Sequence, residues 1–168
     1  MKSFNIKLNI ASKIFYSAIV SLAVFVIVFG IFVKFMFDAQ TKFDRVINEE
    51  IPKVQLSDQA VDTLMMMNIE EKNILILSNT SNDLLIHTKQ FEFYESRFSQ
   101  AISLLKSKIH IQFNEISNIE NEHNLYVANF YKLLNYIKTN KINEANSLSV
   151  KMKLNIENIR KELVKISA

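Results

Sequence analysis

Residues 14–33 have the sequence IFYSAIVSLAVFVIVFGIFV, which is twenty consecutive residues without a charge between Lys13 and Lys34. At about 1.5 Å of rise per residue, this stretch would form a helix roughly 30 Å long, matching the hydrocarbon thickness of a bilayer. Fourteen of the twenty residues are Ile, Val, Leu or Phe, and together they contribute on the order of −4 to −8 kcal/mol to insertion. The stretch therefore predicts a transmembrane helix.

A cleaved signal peptide is the main alternative for this stretch. The apolar core of a signal peptide is usually about 7 to 15 residues long and ends at a cleavage site of small residues. Here the apolar run continues into residues 32–37, FVKFMF, which do not resemble such a site. The sequence favours an uncleaved anchor.

The composition of the rest of the chain predicts a single all-helical domain. About 130 residues follow the span, which is enough for one domain with its own core. The only glycine, Gly30, lies inside the span and the only proline is Pro52, so the remainder lacks the residues that hairpins and phosphate-binding loops require. Cysteine is absent, which excludes disulfides and thiolate metal sites.

The net charge of +3 belongs to the N-terminal tail, because three of the 20 basic residues precede the span and the remainder carries 17 basic and 17 acidic residues. A neutral domain gives no electrostatic reason to expect a nucleic-acid partner. The basic tail favours a cytoplasmic N-terminus, although Lys34, Lys42 and Arg45 lie near the other end of the span. We therefore predict that residues 40–168 lie outside the cytoplasmic membrane.

The predicted organisation has four parts: a cytoplasmic tail at 1–13, the span at 14–33, a helical extension at 34–51 and a four-helix domain at 52–168. Pro52 disfavours the helical conformation at Ile51, so a kink or a new helix start is expected there. Polar residues at Ser78–Asp83 predict the first reversal. A second reversal is expected between Lys106 and Asn114.

Apolar residues recur at helical spacing in four segments of about 27 residues, or roughly 40 Å, each. On the first helix they form two adjacent edges: Leu56, Ala60, Leu64 and Met67, then Val54, Val61, Met65 and Leu75. On the second they are Leu84, Phe91, Phe98, Ile102, Leu105 and Ile109, and on the third Ile116, Ile119, His123, Val127, Phe130, Leu134 and Ile137. On the fourth they are Ile142, Ala145, Met152, Ile156, Ile159, Leu163 and Ile166.

Short connections link these equal segments, and Asn140 is a plausible left-handed terminator between the last two. Each helix must return along the one before it, so the sequence predicts an antiparallel up-down-up-down four-helix bundle.

The chemistry-bearing residues do not indicate an enzyme, a metal site or a cofactor. The three histidines differ in height along the predicted bundle by about 15 Å or more, and no Glu-x-x-His or His-x-x-x-His motif is present. His123 is predicted to be a core histidine with a hydrogen-bonded partner, and Met65 to Met67 are predicted to fill the core. Glu70 and Glu71 are neighbours and cannot point to one place on a helix.

Polar residues on an apolar seam provide a candidate ligand site. Asn68 and Lys72 share the stripe of Val61, Met65 and Leu75, and a buried lysine needs a partner. The groups at the level of Lys72 are Lys89, Tyr131 and Ser149. Together, Asn68, Lys72, Lys89, Tyr131 and Ser149 would bind an anion such as a carboxylate. Alternatively, Lys72 extends to solvent or pairs with Glu71 or Glu144.

The organisation of nearly the whole chain resembles the N-terminal four-helix-bundle sensory module of bacterial methyl-accepting chemotaxis receptors and sensor kinases. The features that carry the resemblance are the short basic start, the span at 14–33, Glu50-Ile51-Pro52, the residues 70–75 (EEKNIL) and the residues 141–145 (KINEA). This sequence has Lys72 where family members often have Arg, and Lys cannot hold a carboxylate through two parallel hydrogen bonds as Arg can.

The resemblance implies a homodimeric receptor whose bundle binds a small molecule or a periplasmic binding protein. In that family, a small movement of the last helix carries the signal through a second span and a HAMP linker to a cytoplasmic output. The chain ends at Ala168, where that span would begin, so we expect either a receptor fragment or a truncated protein. The alternative is a single-span scaffold or adaptor whose bundle binds a protein partner.

Overall fold

The computed structural model describes residues 10–77, 81–108 and 113–167, and all of them are helical except residues 139–141. The elements are α1 (Ile10–Arg45), a π turn (Val46–Glu50), α2 (Ile51–Leu77), α3 (Ser81–Lys108), α4 (Phe113–Lys138) and α5 (Ile142–Ser167). No strand occurs among the described residues. The predicted all-helical class is therefore confirmed, with α2 to α5 at the positions of the four predicted domain helices.

The chain divides into two compact units, residues 1–46 and residues 47–168. Within the first unit, α1 exposes its large apolar side chains: Phe25 is 65% exposed, Ile27 62% and Phe29 57%. By length and composition, a helical stretch that begins at Ser12 is apolar enough to cross a membrane, and none of its most apolar window is buried. The described part of the first unit is thus a long apolar helix, and its large apolar side chains are mostly exposed.

The chain passes Pro52 through a local change of helical pattern. Pro52 has no N–H to donate, and its ring crowds the carbonyl four residues earlier, that of Asn48. The π turn at Val46–Glu50 contains Asn48 and widens the hydrogen-bonded ring by one residue. The new helix start expected near Pro52 is therefore present: α2 begins at Ile51, immediately after the π turn.

The second unit is built around an apolar core shared by α2 to α5. The main helix pairings are α2 with α3 and α4 with α5, supplemented by α2 with α5, whereas α3 and α4 approach each other closely at few points. Its fully buried large side chains are Tyr126, Phe91, Phe98, Phe130, Leu64, Met67, Ile74, Leu105, Ile116, Ile119, Leu133 and Met152. Most of them lie at the predicted apolar positions.

The second predicted edge of α2 is only partly correct. Val61 and Leu75 pack against the core, but Val54 and Met65 remain 39% and 38% exposed. The close partners of α2 are α3 and α5, and their contacts cover a narrower face than the two edges together. Ile142, the first residue of α5, is also exposed, and Ile109 lies outside the described residues.

The connection between α4 and α5 has the predicted left-handed residue. Asn140 has a φ of 56°, its N–H donates to the carbonyl of Ile137 at 3.0 Å, and the N–H of Lys141 donates to that of Tyr136 at 2.8 Å. These two bonds form a Schellman motif, which satisfies the last carbonyls of α4. In the other two connections, residues 78–80 and 109–112 lie outside the described residues.

Candidate functional site

Three helices of the second unit meet at the carboxylate of Glu71 on α2, whose side chain is completely buried. Tyr126 of α4 donates its hydroxyl to Oε2 at 3.1 Å, and Ser149 of α5 donates to Oε1 at 2.6 Å. The Nζ of Lys72 lies 3.0 Å from Oε1 and also donates to Ser149 Oγ. We call these four residues the Glu71 cluster.

The Glu71 cluster places a carboxylate in the core with hydrogen-bond partners for both of its oxygens. Burying a carboxylate without partners would be strongly unfavourable, whereas hydrogen bonds to an ionised acceptor are stronger than neutral ones. Burial, together with the charge and the hydrogen bond of Glu71, raises the pKa of Tyr126, so its hydroxyl remains a donor. Phe91 holds the Tyr126 ring with a centroid distance of 5.9 Å and stacks on Phe130.

A second buried carboxylate, Glu70, faces α3 instead. The Nδ1 of His87 lies 2.7 Å from its Oε2, and the Gln90 amide, with its nitrogen turned toward Glu70, donates to both oxygens at 3.0 Å. Successive residues on an α-helix point about 100° apart, as follows from 3.6 residues per turn. Glu70 therefore links α2 to α3 while Glu71 links α2 to α4 and α5, which agrees with the prediction that the two side chains do not converge.

Two of the five predicted ligand-site residues come together in the structure. Lys72 and Ser149 are hydrogen-bonded across α2 and α5, but the charge of Lys72 is paired with Glu71, as one of the sequence-based alternatives proposed. Tyr131 is 47% exposed, and its hydroxyl donates to Glu92 at 3.2 Å. Asn68 is half-buried on α2 and Lys89 is exposed on α3. None of these five residues lines any of the described pockets.

A groove of about 440 Å³ separates α3 from α4, where these two helices are widely spaced. We call it the α3/α4 groove. Its lining residues on α3 are Phe98, Ser99, Ile102, Ser103 and Lys106, and those on α4 are Glu120, Asn121, His123 and Asn124. Across it, the Nζ of Lys106 donates to both carboxylate oxygens of Glu120 at 2.8 and 3.0 Å. The walls are thus polar, while Phe98, Ile102 and His123 are buried.

His123 lies in the core, as predicted, but its buried Nε2 has no hydrogen-bond partner among the residues that the structure describes. The nearest carboxylate oxygen, Oε1 of Glu95, is 3.9 Å away, beyond hydrogen-bond distance. Stacking on Phe98, with a centroid distance of 4.5 Å, holds the imidazole between α3 and α4. Burial lowers the pKa of His123 to about 4, so the ring is neutral at pH 7.

Sequence reasoning named Glu71 only as a possible partner of Lys72 and missed Tyr126, although both residues continue the core spacing. Residues 60, 64, 67, 71 and 74 on α2 alternate steps of four and three and are all buried. On α4 the same rule selects residues 119, 123, 126, 130 and 133, all of which are buried. The sequence analysis had chosen Val127 and Leu134 in place of residues 126 and 133. Treating a glutamate or tyrosine at a seam position as a core residue would have identified both.

Among the described residues, no group of three or more His, Asp or Glu side chains is arranged to hold a metal ion. Comparisons of the chain with protein-family models, with curated proteins and with solved structures found no match. The functional assignment therefore depends on the chemistry of this chain alone.

Proposed function

We propose that the chain is the membrane-anchored, extracytoplasmic sensory domain of a chemotaxis-type transmembrane receptor or sensor kinase. In this proposal α1 crosses the bacterial inner membrane once, with its N-terminus in the cytoplasm. Helices α2 to α5 form an antiparallel bundle in the periplasm. The bundle binds a small molecule or a periplasmic binding protein, acts as a homodimer, and transmits a helix movement through the membrane.

The exposure of α1 is the single observation that carries the proposal. Soluble monomeric proteins rarely leave a continuous apolar surface of this size in water. Residues 14–33 contain no charge, and the backbone groups of a helix are satisfied internally, as the hydrocarbon core requires. A bilayer is therefore the environment that best suits this helix.

The antiparallel arrangement is supported by the connections. Helices joined by two to eight residues in a bundle normally run back along each other. Three residues join α4 to α5, and the gaps between the described helices elsewhere in the second unit are three and four residues. The close pairing of α2 with α3 and of α4 with α5 is what such hairpins would produce.

The exposed apolar side chains on the second unit support the proposal that the bundle binds a protein. Val150, Leu154 and Val164 on α5 are 61 to 74% exposed, and Ile69 and Ile76 on α2 are 45% and 72% exposed. A second copy of the chain fits the receptor proposal. The alternative function, a single-span scaffold or adaptor, would use the same side chains to bind a different protein.

A topology experiment tests the anchor. The chain has no cysteine, so single-cysteine variants can be labelled in intact cells with a membrane-impermeant maleimide. We expect Ser147→Cys, at an exposed position on α5, to be labelled, and Ser3→Cys to be labelled only after lysis. Labelling of both or neither in intact cells, or recovery of the protein in the soluble fraction, would contradict the proposal.

The sequence that follows Ala168 in the gene separates the two functions. A transmembrane receptor requires a further apolar run of about 20 residues there. A natural stop codon directly after Ala168 would contradict transmembrane signalling and favour the scaffold. Sedimentation of the full chain in detergent would then show whether it associates with itself.

A further inference from the structure

The α3/α4 groove combines a polar lining without net charge with a buried histidine nitrogen that has no hydrogen-bond partner in the described part of the chain. The two charged lining residues, Lys106 and Glu120, form a bidentate ion pair with each other. The other polar groups on its walls are the hydroxyls of Ser99 and Ser103 and two asparagine amides. Hydroxyls and amides both donate and accept hydrogen bonds. Such a lining matches a neutral molecule that also does both.

His123 supplies a second, independent observation at this groove. It lines the groove and is 6% exposed, and no group within residues 10–77, 81–108 and 113–167 forms a hydrogen bond with its Nε2. Leaving a buried polar nitrogen unpaired is unfavourable, and unpaired groups of this kind are uncommon in native structures. Stacking on Phe98 restrains the imidazole plane. The unpaired nitrogen is therefore held in one position.

Glu95 provides the complementary acceptor. Its Oε1 lies 3.9 Å from His123 Nε2 and accepts a hydrogen bond from Ser99, a lining residue, at 3.1 Å. Nε2 has almost no exposed surface of its own, but the Glu95 side chain is 34% exposed, and a small shift that keeps Oε1 bonded to Ser99 would open a path to the nitrogen. A single oxygen placed about 2.8 Å from both atoms would span this gap.

We propose that the α3/α4 groove binds a small neutral polyhydroxylated molecule, one hydroxyl of which bridges His123 Nε2 and Glu95 Oε1. This proposal rests on the proposed sensory function and names the ligand class and the site. The neutral imidazole donates its Nε2 hydrogen to the ligand oxygen, and the ligand hydroxyl donates to the carboxylate. The remaining ligand hydroxyls bond to Ser103, Asn121 and Asn124 along the walls.

The charges around the groove select against charged ligands. An anion would approach the carboxylates of Glu95 and Glu120, and the one lining cation, Lys106, is already paired with Glu120. A cation would have to displace Lys106 from Glu120 or be neutralised by the partly exposed Glu95 alone. A neutral ligand leaves the existing ion pair intact and satisfies the unpaired nitrogen.

The test follows the imidazole signals of the full chain, purified in detergent and labelled with ¹⁵N at histidine. The chain has three histidines, and the signal that disappears in His123→Phe is assigned to His123. The probes are glucose, sorbitol and myo-inositol at up to about 10 mM, tenfold above a Kd of about 1 mM. Glucosamine and gluconate serve as matched cationic and anionic probes.

We expect at least one neutral probe to shift the His123 signal, and neither charged probe to do so. Glu95→Gln should raise the Kd of that probe about tenfold or more, and His123→Phe should abolish its binding. Glu92→Gln is the matched control: Glu92 lies on the same helix and pairs with Tyr131 outside the groove, so the Kd should be unchanged. Circular dichroism checks that each variant is folded.

The proposal is overturned if no neutral probe moves the His123 signal, if the charged probes bind equally well, or if Glu95→Gln and Glu92→Gln behave alike. These outcomes are distinct from failure of the proposed function. Cysteine labelling tests the membrane anchor without any ligand, so a correctly inserted protein that ignores all neutral probes refutes only the site. Conversely, probe binding to a soluble protein refutes the anchor and leaves the site intact.

Discussion

The Glu71 cluster and the α3/α4 groove are two polar regions in the same helical unit, and they differ in how completely their polar atoms are paired. At Glu71, both carboxylate oxygens accept hydrogen bonds, from residues on α4 and α5. At the groove, Nε2 of His123 is also buried, but among the described residues it has no hydrogen-bond partner. Around the second region, α3 and α4 approach each other closely at few points.

This difference separates a stabilising polar group from a candidate binding group. A buried polar residue whose bonds are all satisfied within the chain fixes the arrangement of its helices. One that remains unpaired beside a groove lowers stability until something binds it. Removing a paired polar atom at Glu71 should therefore lower stability, whereas removing the unpaired Nε2 of His123 should raise it.

The largest effect is expected from removing both hydroxyl donors to Glu71. Tyr126→Phe combined with Ser149→Ala leaves a buried carboxylate with only Lys72, and should lower the free energy of unfolding by about 3 to 5 kcal/mol. Urea titration of the full chain in detergent, followed by circular dichroism, measures the loss. Ser147→Ala, at an exposed position on the same helix, should change it by less than about 0.5 kcal/mol. Equal effects of the two changes would show that the Glu71 cluster is not stabilising.

The second largest effect on the free energy of unfolding is expected from acid, because acid protonates His123. Because burial lowers the pKa of His123 from 6.5 to about 4, the unfolded chain binds a proton on this residue in that interval and the folded chain does not. Above pH 6.5 the histidine is neutral in both states and the free energy of unfolding does not depend on it. As the pH falls from 6.5 toward 4, the free energy of unfolding decreases by about 2 to 3 kcal/mol. Urea titrations of wild type and His123→Phe at several pH values measure this slope, which should be shallower in the variant. The same slope in wild type and variant would contradict the assignment of this pH dependence to His123.

At pH 7 the same variant should show the contrast in sign. His123→Phe keeps an aromatic ring against Phe98 and removes the unpaired nitrogen, so we expect the free energy of unfolding to rise by about 1 kcal/mol. Tyr126→Phe alone, which also removes one polar atom from a buried ring, should lower it by about 1.5 to 3 kcal/mol. Thermal and urea unfolding of the two variants provide the comparison. A loss of stability in both would mean that the histidine is satisfied in solution.

The smallest effect is expected at the ion pair that crosses the groove. Glu120 is 40% exposed in its side chain, so Glu120→Gln should cost less than about 1 kcal/mol, and the cost should fall further in high salt. Urea titration at low and high ionic strength measures it. A loss comparable with that at the Glu71 cluster would remove the distinction between the two regions.

Much of the fold could be predicted from the sequence because helical periodicity is a local signal. The spacing on α5 identified Ala145, Met152, Ile156, Ile159 and Leu163, all of which are buried. The left-handed Asn140 was also predictable, since few residues other than glycine adopt positive φ readily. Both inferences depend only on neighbours along the chain.

The candidate site was much less predictable. Lys72 and Ser149 could be placed at one level from helix lengths, but which group would neutralise Lys72 depended on side-chain geometry across three helices. Tyr126 and Glu71 are separated by 55 positions and meet only after the helices pack. The pairing of His123 with Phe98 likewise requires the spacing between α3 and α4.

The sequence by itself determined the long apolar helix, the helical class and most positions of the core. Hydrophobicity and the 3.6-residue periodicity depend only on residues close together in the chain. The tertiary structure alone decided which buried polar atoms would be paired. Hydrogen bonds require distances of about 3 Å, and helix packing sets such distances between residues far apart in the chain. That is why both oxygens of Glu71 have hydrogen-bond partners, whereas Nε2 of His123 has none among the described residues.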